Sequence, residues 1–246
     1  MMKELGHVCE LVRYPVKSMA GIVTESAFLG WHGLDGDRRF AFRRLGDDSG
    51  FPWLSASRVP ELLLYQPIGL NERSGEPLPT HIRTPSGAQM ELHSLELQRE
   101  IAERFGGSVE LMKLKHGTFD DAPISVISLA TIAGIGGEVG MNLDRRRFRA
   151  NIVLETRDRE PFHEDKWVSG TLVFGTTEPQ PAVRVTARDV RCMMINLDPD
   201  TSVQDKRVMK TVVRLNQNNA GVYGTVVQTG TIRVGEPVNL VWDAWS

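Results

Sequence analysis

Short runs of β-branched and aromatic residues recur along this chain between glycine, proline and aspartate turn signals, and this spacing constrains its fold more than any other feature. Few long amphipathic stretches interrupt the pattern. The sequence therefore predicts a mainly β protein, with antiparallel sheets closed or folded into β-barrels and a few short helices. The predicted strands are Glu10–Val16, Thr24–Leu29, Arg39–Leu45, Glu61–Ile68, His81–Thr84, Val109–Leu114, Ala150–Glu155, Thr171–Phe174, Ala182–Val190, Gly224–Gln228, Thr231–Val234 and Val238–Trp242.

Two helices are predicted among these strands. Ser94 is a suitable N-cap for a helix that ends at Gly106, because Leu97 and residues at helical spacing after it share one apolar face. Ser128 is the N-cap of a second helix, which we expect to end before Gly134.

The segment from Gly117 to Pro123 shows no periodicity of either kind. We therefore predict a domain boundary there, with an N-terminal β-barrel domain at 1–117 and a second domain at 118–246. A chain of 246 residues is long enough for two small domains or one large one.

Composition excludes several classes of protein. The formal net charge of -2 gives no general attraction to nucleic acid or to an anionic membrane. No run of about eighteen apolar residues occurs, and the first residues lack the apolar core of a signal peptide. We expect a cytoplasmic protein whose partners include neither nucleic acid nor a membrane.

The two cysteines, Cys9 and Cys192, are too few for an iron–sulfur cluster, which normally takes four thiolates. The glycine run Gly134–Gly140 departs from the spacing of a dinucleotide-binding loop. The six histidines show no close metal-ligand spacing, and there is no Gly-x-Ser-x-Gly motif. The sequence thus predicts no internal electron relay, no zinc hydrolase and no serine hydrolase.

Cys192 follows a predicted strand in which alternation places it on one face with Arg184 and Arg188. Nearby guanidinium groups favour a thiolate over a thiol, which would make the sulfur a nucleophile or a ligand for a soft metal. A buried structural cysteine remains the alternative interpretation. Cys9 has no such cationic setting, and we interpret it as structural.

Three further clusters carry cations. The run Asp144–Asn151 holds four arginines, and Arg149 and Asn151 lead from it into an apolar strand. Guanidinium groups bind phosphate in bidentate fashion, and an amide matches a heterocycle edge. Lys17–Ser18 and Asp37–Arg38 are weaker signals for anion binding. A solvated basic turn is the alternative for the arginine run. An ordinary surface pair is the alternative for Lys17–Ser18, and turn residues before a strand are the alternative for Asp37–Arg38.

Seven motifs taken in order resemble a MOSC-domain protein, and the resemblance spans nearly the whole chain. It is close to the group in which an N-terminal MOSC β-barrel domain precedes the MOSC domain, a group that includes the mitochondrial amidoxime-reducing components and their bacterial relatives. The motifs are Tyr14–Ser18, Gly36–Arg38, Pro123–Ala130, Arg147–Ile152, Pro161–Trp167, Arg191–Cys192 and Asp198–Thr201.

This resemblance implies a molybdenum cofactor (Mo-molybdopterin), with Cys192 as the catalytic residue and as the sulfur ligand that the protein gives the metal. It carries cofactor contacts onto a set of mainly cationic residues, with Asn151 as an addition. These residues are Lys17, Ser18, Arg38, Arg149, Arg191 and Asn151.

The resemblance further implies an oxidoreductase that reduces small N-oxygenated (N-hydroxylated) substrates. Electrons would come from a separate donor protein, a reductase or a ferredoxin-like partner. Two alternatives are a sulfur carrier that holds a persulfide on Cys192 and a cofactor carrier without turnover. Pyridoxal phosphate is also associated with the family, but no lysine stands in a setting typical of a Schiff base.

Overall fold

The computed structural model describes residues 2–71 and 76–242, which form sixteen β-strands and three α-helices. The strands are β1 (Met2–Arg13), β2 (Ile22–Thr24), β3 (Ser26–Gly30), β4 (Gly33–Leu34), β5 (Phe40–Arg44), β6 (Gln66–Asn71), β7 (Leu78–Arg83), β8 (Gln89–Glu91), β9 (Val109–Lys113), β10 (Ile124–Ser128), β11 (Ile152–Thr156), β12 (Thr171–Phe174), β13 (Ala182–Val190), β14 (Asn219–Gln228), β15 (Gly230–Arg233) and β16 (Pro237–Val241). The helices are α1 (Leu95–Phe105), α2 (Leu129–Val139) and α3 (Lys206–Asn216).

The largest sheet of the described chain runs in the order β11-β10-β14-β13-β12-β16-β1-β2, and β11 also pairs with β1. That pairing closes seven of the strands into a barrel, and β2 extends it at one side. Neighbouring strands are antiparallel except for β10 and β11, which are parallel. The barrel is filled by buried side chains such as Leu11, Leu172 and Phe174. The predicted mainly β barrel fold is confirmed.

The first strand links the two ends of the chain. β1 pairs antiparallel with β11 on one side and with β16 on the other, so the barrel contains strands from both sides of the predicted boundary. Residues 114–123 contain no helix or strand. The division into 1–117 and 118–246 stays a prediction.

A second layer is built from the segment between β5 and β9. It contains the β5–β9 ribbon, the β6-β7-β8 sheet and helix α1 around a separate apolar core. Phe40, Tyr65 and Ile101 are fully buried there, and Leu197 from the later part of the chain packs into the same cluster. This layer therefore packs against the segment that follows β13.

Helix α1 begins and ends as predicted. The Ser94 hydroxyl accepts a hydrogen bond from the Leu97 amide at 3.2 Å, which satisfies one of the unpaired donors of the first turn. Gly106 ends the helix with a left-handed φ of 73°.

Helix α2 starts after Ser128 as predicted, but it continues to Val139, so the predicted stop at Gly134 is wrong. A Cβ on Gly134 would lie 2.6 Å from the Pro161 ring, so glycine is needed there for close packing and not for a turn. The stop is Gly140, which has a φ of 79°.

Two further features differ from the sequence prediction. Glu61 to Leu64 form a 3₁₀ helix that begins at Pro60, and not the start of a strand, because proline fixes φ at a value suited to the first helical turn. Helix α3 was not predicted, although Asp205 caps it and Val208 and Val212 share its buried face at helical spacing.

Candidate cofactor site

A cavity of about 280 Å³ opens beside the end of β13, and we call it the polar cavity. Its walls carry both charges, several hydroxyls and a thiol. Among the described residues its cations are Lys17, Arg38, Arg147, Arg149 and Arg191, its carboxylates are Asp120, Asp121 and Asp189, and its thiol is Cys192.

The polar cavity brings together six of the residues selected from the sequence, which are far apart in the chain. Lys17, Ser18, Arg38, Arg149, Arg191 and Cys192 all line it. Asn151 does not, since it is only 1% exposed and lies behind the wall.

Lys17 and Ser18 enter the cavity just after β1. The Lys17 amide donates to the Phe40 carbonyl at 2.8 Å, which fixes this segment against β5. The Lys17 side chain is 8% exposed, and its Nζ lies 2.8 Å from Oδ1 of Asp120. Burial lowers the pKa of Lys17, and the Asp120 carboxylate opposes that shift. Lys17 is thus a buried cation held by a single carboxylate from the segment between β9 and β10.

Arg38 is held from several sides. Its guanidinium is paired with the buried Asp37 carboxylate, and it donates to Oδ1 of Asn151 and to the Arg149 carbonyl, each at 3.2 Å. Burial lowers the pKa of Arg38, but the charge of Asp37 and its hydrogen bond outweigh that effect and raise it. Arg38 is therefore a permanent cation in a fixed position.

Asn151 positions this arginine. Its Oδ1 also accepts the Ser125 amide at 3.2 Å, and its Nδ2 donates to the Val12 carbonyl at 3.2 Å. The amide is thus occupied by protein groups on both sides. A direct contact of Asn151 with a cofactor stays a prediction.

Arg149 differs from the other cations of the polar cavity. Its guanidinium lies over the Tyr14 ring at 4.2 Å and donates to the Met19 carbonyl at 2.7 Å. Within residues 2–71 and 76–242 it forms no ion pair with a carboxylate, whereas Lys17, Arg38, Arg147 and Arg191 each do. Burial lowers the pKa of Arg149 to about 10, so it stays charged at neutral pH.

Three of the predicted site residues have left-handed backbone conformations. The φ values of Ser18, Arg38 and Arg149 are 66°, 49° and 51°. Such conformations cost about 1–3 kcal/mol each in non-glycine residues, and they cluster at ligand clamps and active sites. The packing around the polar cavity must offset this strain.

Arg191 and Asp189 form an ion pair in the wall of the polar cavity. The Arg191 Nε and NH1 groups donate to the carbonyls of Ala220 and Phe148 at 2.7 and 2.8 Å, and its NH2 group lies 2.9 Å from Oδ2 of Asp189. The same Oδ2 accepts the Ser125 hydroxyl at 2.8 Å. Burial raises the pKa of Asp189 to about 6, against the opposing charge of Arg191.

Cys192 is exposed at the edge of the polar cavity, where it directly precedes the 3₁₀ helix Met193–Asn196. The prediction that Arg184 and Arg188 share its face is wrong. β13 has register shifts between Val185 and Ala187 and again after Arg188, which break the alternation. Arg188 instead pairs with Asp165 at 3.4 Å, away from the cavity.

Cys9 lies elsewhere, in β1. NH1 of Arg145 lies 3.9 Å from its Sγ, so the prediction that Cys9 lacks a cationic neighbour is wrong. Burial outweighs the effect of that charge and raises the pKa of the Cys9 thiol. Because it lies outside the polar cavity, Cys9 is a suitable control for Cys192.

Asp189, Ser125 and Arg147 also line the polar cavity, although the sequence patterns did not predict them as site residues. Arg147 donates to the Asn196 carbonyl at 2.8 Å and to Asp198 at 2.9 Å, while its buried Nε has no hydrogen-bond partner among the described residues. A buried aspartate in a strand beside Arg191 was a signal for Asp189, since a buried carboxylate needs a partner.

The chain belongs to the MOSC domain family, whose model matches residues 113–239, more than half of its 246 residues. It is 24% identical to human mitochondrial amidoxime-reducing component 1 over 98% of this chain and 85% of that protein. It is 30% identical to rat mitochondrial amidoxime reducing component 2, over 48% of this chain and 37% of that protein.

Among solved structures, the crystal structure of the YuaD protein of Bacillus subtilis resembles this chain with a TM-score of 0.54. The sequence identity is 13%, and the match covers 98% of both chains, so the likeness concerns the fold alone. None of the helices in residues 2–71 and 76–242 has the length and apolar character needed to span a membrane.

Proposed function

We propose that this protein holds a molybdenum cofactor in the polar cavity and reduces small N-hydroxylated compounds there. Family membership and the names of the amidoxime-reducing relatives support the proposal. The observation that carries it is the presence of an exposed thiol, Cys192, on the same cavity as five buried or half-buried cations.

The donor set of the polar cavity suits such a cofactor. A pterin phosphate is anionic, and it calls for fixed guanidinium and ammonium donors. Lys17, Arg38 and Arg149 supply these, and the buried Nε of Arg147 is a further donor that no described residue accepts from. Molybdenum in a sulfur-rich setting calls for a soft ligand, and a thiolate is the softest that the described chain offers there.

In the proposed assignment, the cofactor would be contacted by Lys17, Ser18, Arg38, Arg149 and Arg191, with the cations serving its anionic phosphate. Cys192 would give its sulfur to the metal. The bound cofactor would supply two-electron oxygen transfer, a reaction for which no side chain has the redox chemistry. Because the Arg38 and Arg191 side chains are held by protein carbonyls and carboxylates, they need little reorganisation when a ligand binds.

Two exposed apolar side chains, Phe51 and Val190, line the same cavity as Cys192. An N-hydroxylated amidine or amine with an apolar body could pack against them while its N–O group faces the thiol side. This placement favours small uncharged substrates with an apolar body over charged substrates.

Electrons must reach the site from another molecule. Both cysteines are free and lie in different parts of the fold, so they form neither a cluster nor a disulfide. We propose a separate electron-donor protein that docks at the exposed edge of the polar cavity around Cys192.

A second candidate function, a sulfur carrier with a persulfide on Cys192, is favoured by the exposure of that thiol. An exposed cysteine is accessible to a partner that donates or accepts sulfur. Cofactor binding and persulfide chemistry make different demands on the cations, because only the cofactor needs the buried arginines.

The test is to produce the protein in a host that makes molybdenum cofactor and to measure molybdenum and pterin content. Benzamidoxime reduction is then assayed with dithionite-reduced viologen and, separately, with NADPH alone. We expect molybdenum in a stoichiometric ratio to the protein. We also expect turnover with the reduced viologen but not with NADPH alone. Molybdenum-free protein carrying a persulfide on Cys192 would overturn the proposal in favour of the sulfur carrier, and sustained turnover with NADPH alone would refute the separate donor.

A further inference from the structure

A second cavity of about 300 Å³ lies on the other side of the wall formed by Arg147, Arg149 and Met194. These three residues line both cavities. We call the second one the apolar cavity. It extends from this wall towards β2 and β6, and neither Cys192 nor the carboxylates of the polar cavity line it.

The walls of the apolar cavity are mostly hydrocarbon. Ile22, Leu63, Ile68 and Leu197 come from β2, a 3₁₀ helix, β6 and the segment after Cys192. Its volume lies at the lower end of the range of about 300–1,000 Å³ that is usual for small-molecule sites. The size and chemistry of the walls suit one small ring system.

All charged residues that line the apolar cavity in the described chain are arginines, namely Arg146, Arg147 and Arg149. Arg146 is neutralised by Asp144 and Asp200, and Arg147 is neutralised by Asp198. Arg149 has no carboxylate partner among residues 2–71 and 76–242. One uncompensated positive charge therefore remains at the inner wall.

The setting of Arg149 leaves donors for a ligand. Tyr14, which itself lines the apolar cavity, lies under the guanidinium, and NH1 is fixed on the Met19 carbonyl. The other guanidinium donors form no hydrogen bond with described residues. A buried cation without a counter-ion is costly, and an anion that reaches it recovers that cost.

We infer that the apolar cavity binds a small amphiphilic anion, an apolar ring that carries one carboxylate, with the carboxylate on Arg149. One free cation matches one negative charge, whereas a phosphate dianion finds more cations in the polar cavity. The apolar walls contribute to binding by removing the ring surface from water. This site shares Arg149 with the proposed cofactor site, but it does not depend on the reaction proposed there.

The test uses cofactor-free full-length protein with ¹³C-labelled isoleucine methyl groups, titrated with naphthalene-2-carboxylate. Ile22 and Ile68 line only the apolar cavity, and Ile195 lines only the polar cavity, so the three methyl groups report on the two sites separately. We expect saturable shifts at Ile22 and Ile68 and little change at Ile195. Shifts at Ile195 alone, or no saturable shift, would overturn the inference.

The carboxylate is tested with a matched ligand and matched variants. Naphthalene-2-carboxamide keeps the ring but removes the charge, and it should bind at least about tenfold more weakly because hydrogen bonds to charged groups are worth about 1.5–3 kcal/mol. R149Q should weaken carboxylate binding to a similar extent, and R146Q, a variant of an arginine that already has its carboxylates, should not. Equal binding of acid and amide to the unmodified protein would refute the role of Arg149 without any variant.

The ring position is tested by I68W, which adds bulk to the apolar cavity from the half-buried face of β6. It should abolish naphthalene-2-carboxylate binding while the Ile195 methyl signal keeps its position. Undiminished binding to folded I68W would place the ligand elsewhere and would overturn the inference.

Discussion

The two cavities share a wall, but they differ in whether their cations are paired with carboxylates. In the polar cavity Lys17, Arg38 and Arg191 each have an internal carboxylate, so an incoming anion must compete with it. In the apolar cavity the free cation is Arg149 alone, and no described carboxylate lines the walls. In the polar cavity, ion pairs within the protein hold several cations in place before a ligand binds, so this cavity favours ligands with several negative charges. In the apolar cavity, the unpaired Arg149 favours a ligand with one negative charge on an apolar body.

The largest effect is expected at Cys192, which lines only the polar cavity. C192S replaces a soft thiolate with a hard, mostly protonated hydroxyl, so molybdenum content or activity should fall by more than about 100-fold, beyond the 10–100-fold cost of altering groups behind a metal ligand. Metal analysis and the viologen assay measure this. C9S should leave both values close to those of the unmodified protein, and full molybdenum in C192S would show that the ligand assignment is wrong.

The next largest effect is expected from changing the charge of a residue that lines only one of the two cavities. K17E should lower cofactor occupancy by about 10- to 100-fold, since it removes a charged donor and adds a repulsion, but it should not change naphthalene-2-carboxylate binding. R149Q should weaken both ligands because this arginine lines both cavities. Thermal melting of the cofactor-free variants controls for folding. If K17E affects both ligands equally in a folded protein, the two cavities are not independent.

A pH effect is expected from the polar cavity through Asp189, which contacts Arg191 and Ser125 and faces Tyr223 and Arg38. Burial raises its pKa from 3.8 to about 6, so the folded state retains a proton that the unfolded state loses. This group therefore lowers stability as pH rises from about 4 to about 6. D189N removes the titration, so its stability relative to the unmodified protein should increase over that range by about 3 kcal/mol at most. Denaturant unfolding at pH 4.5 and 6.5 measures this; a constant difference would contradict the assignment.

The smallest effect is expected at Asp120, the internal partner of Lys17. Its carboxylate side chain is 62% exposed, so solvent weakens the ion pair, and removing it should improve phosphate binding by only about fivefold, equivalent to about 1 kcal/mol. Calorimetric titration of cofactor-free D120N with inorganic phosphate measures this. D121N is the matched control, because Asp121 lines the same cavity and forms no ion pair with a described residue. Weaker phosphate binding by D120N would show that Asp120 supports the anion site and does not compete with it.

Local patterns in the sequence were sufficient for much of the fold. The strand Ala182–Val190 and the start and end of α1 follow from alternation and from Ser94 and Gly106, because these signals act within a few residues. The predictions for Glu61–Leu64 and Gly134 were wrong, each for a reason of its own. Pro60 overrides a β-prone run locally, whereas the close contact between Gly134 and Pro161 exists only in the folded chain.

For the candidate site, the sequence by itself determined which residue types were available, namely a cysteine beside an arginine, an arginine run and a Lys-Ser pair. Only the tertiary structure decided that Lys17, Arg38 and Cys192 line one cavity, because β1 pairs with β11 and so brings the start of the chain to its later half. Tertiary structure also decided which cations keep a carboxylate. Arg149 resembles its neighbours in the sequence, yet it alone is left unpaired among the cations of the polar cavity in the described chain, because ion pairing depends on distances that the order of residues does not specify.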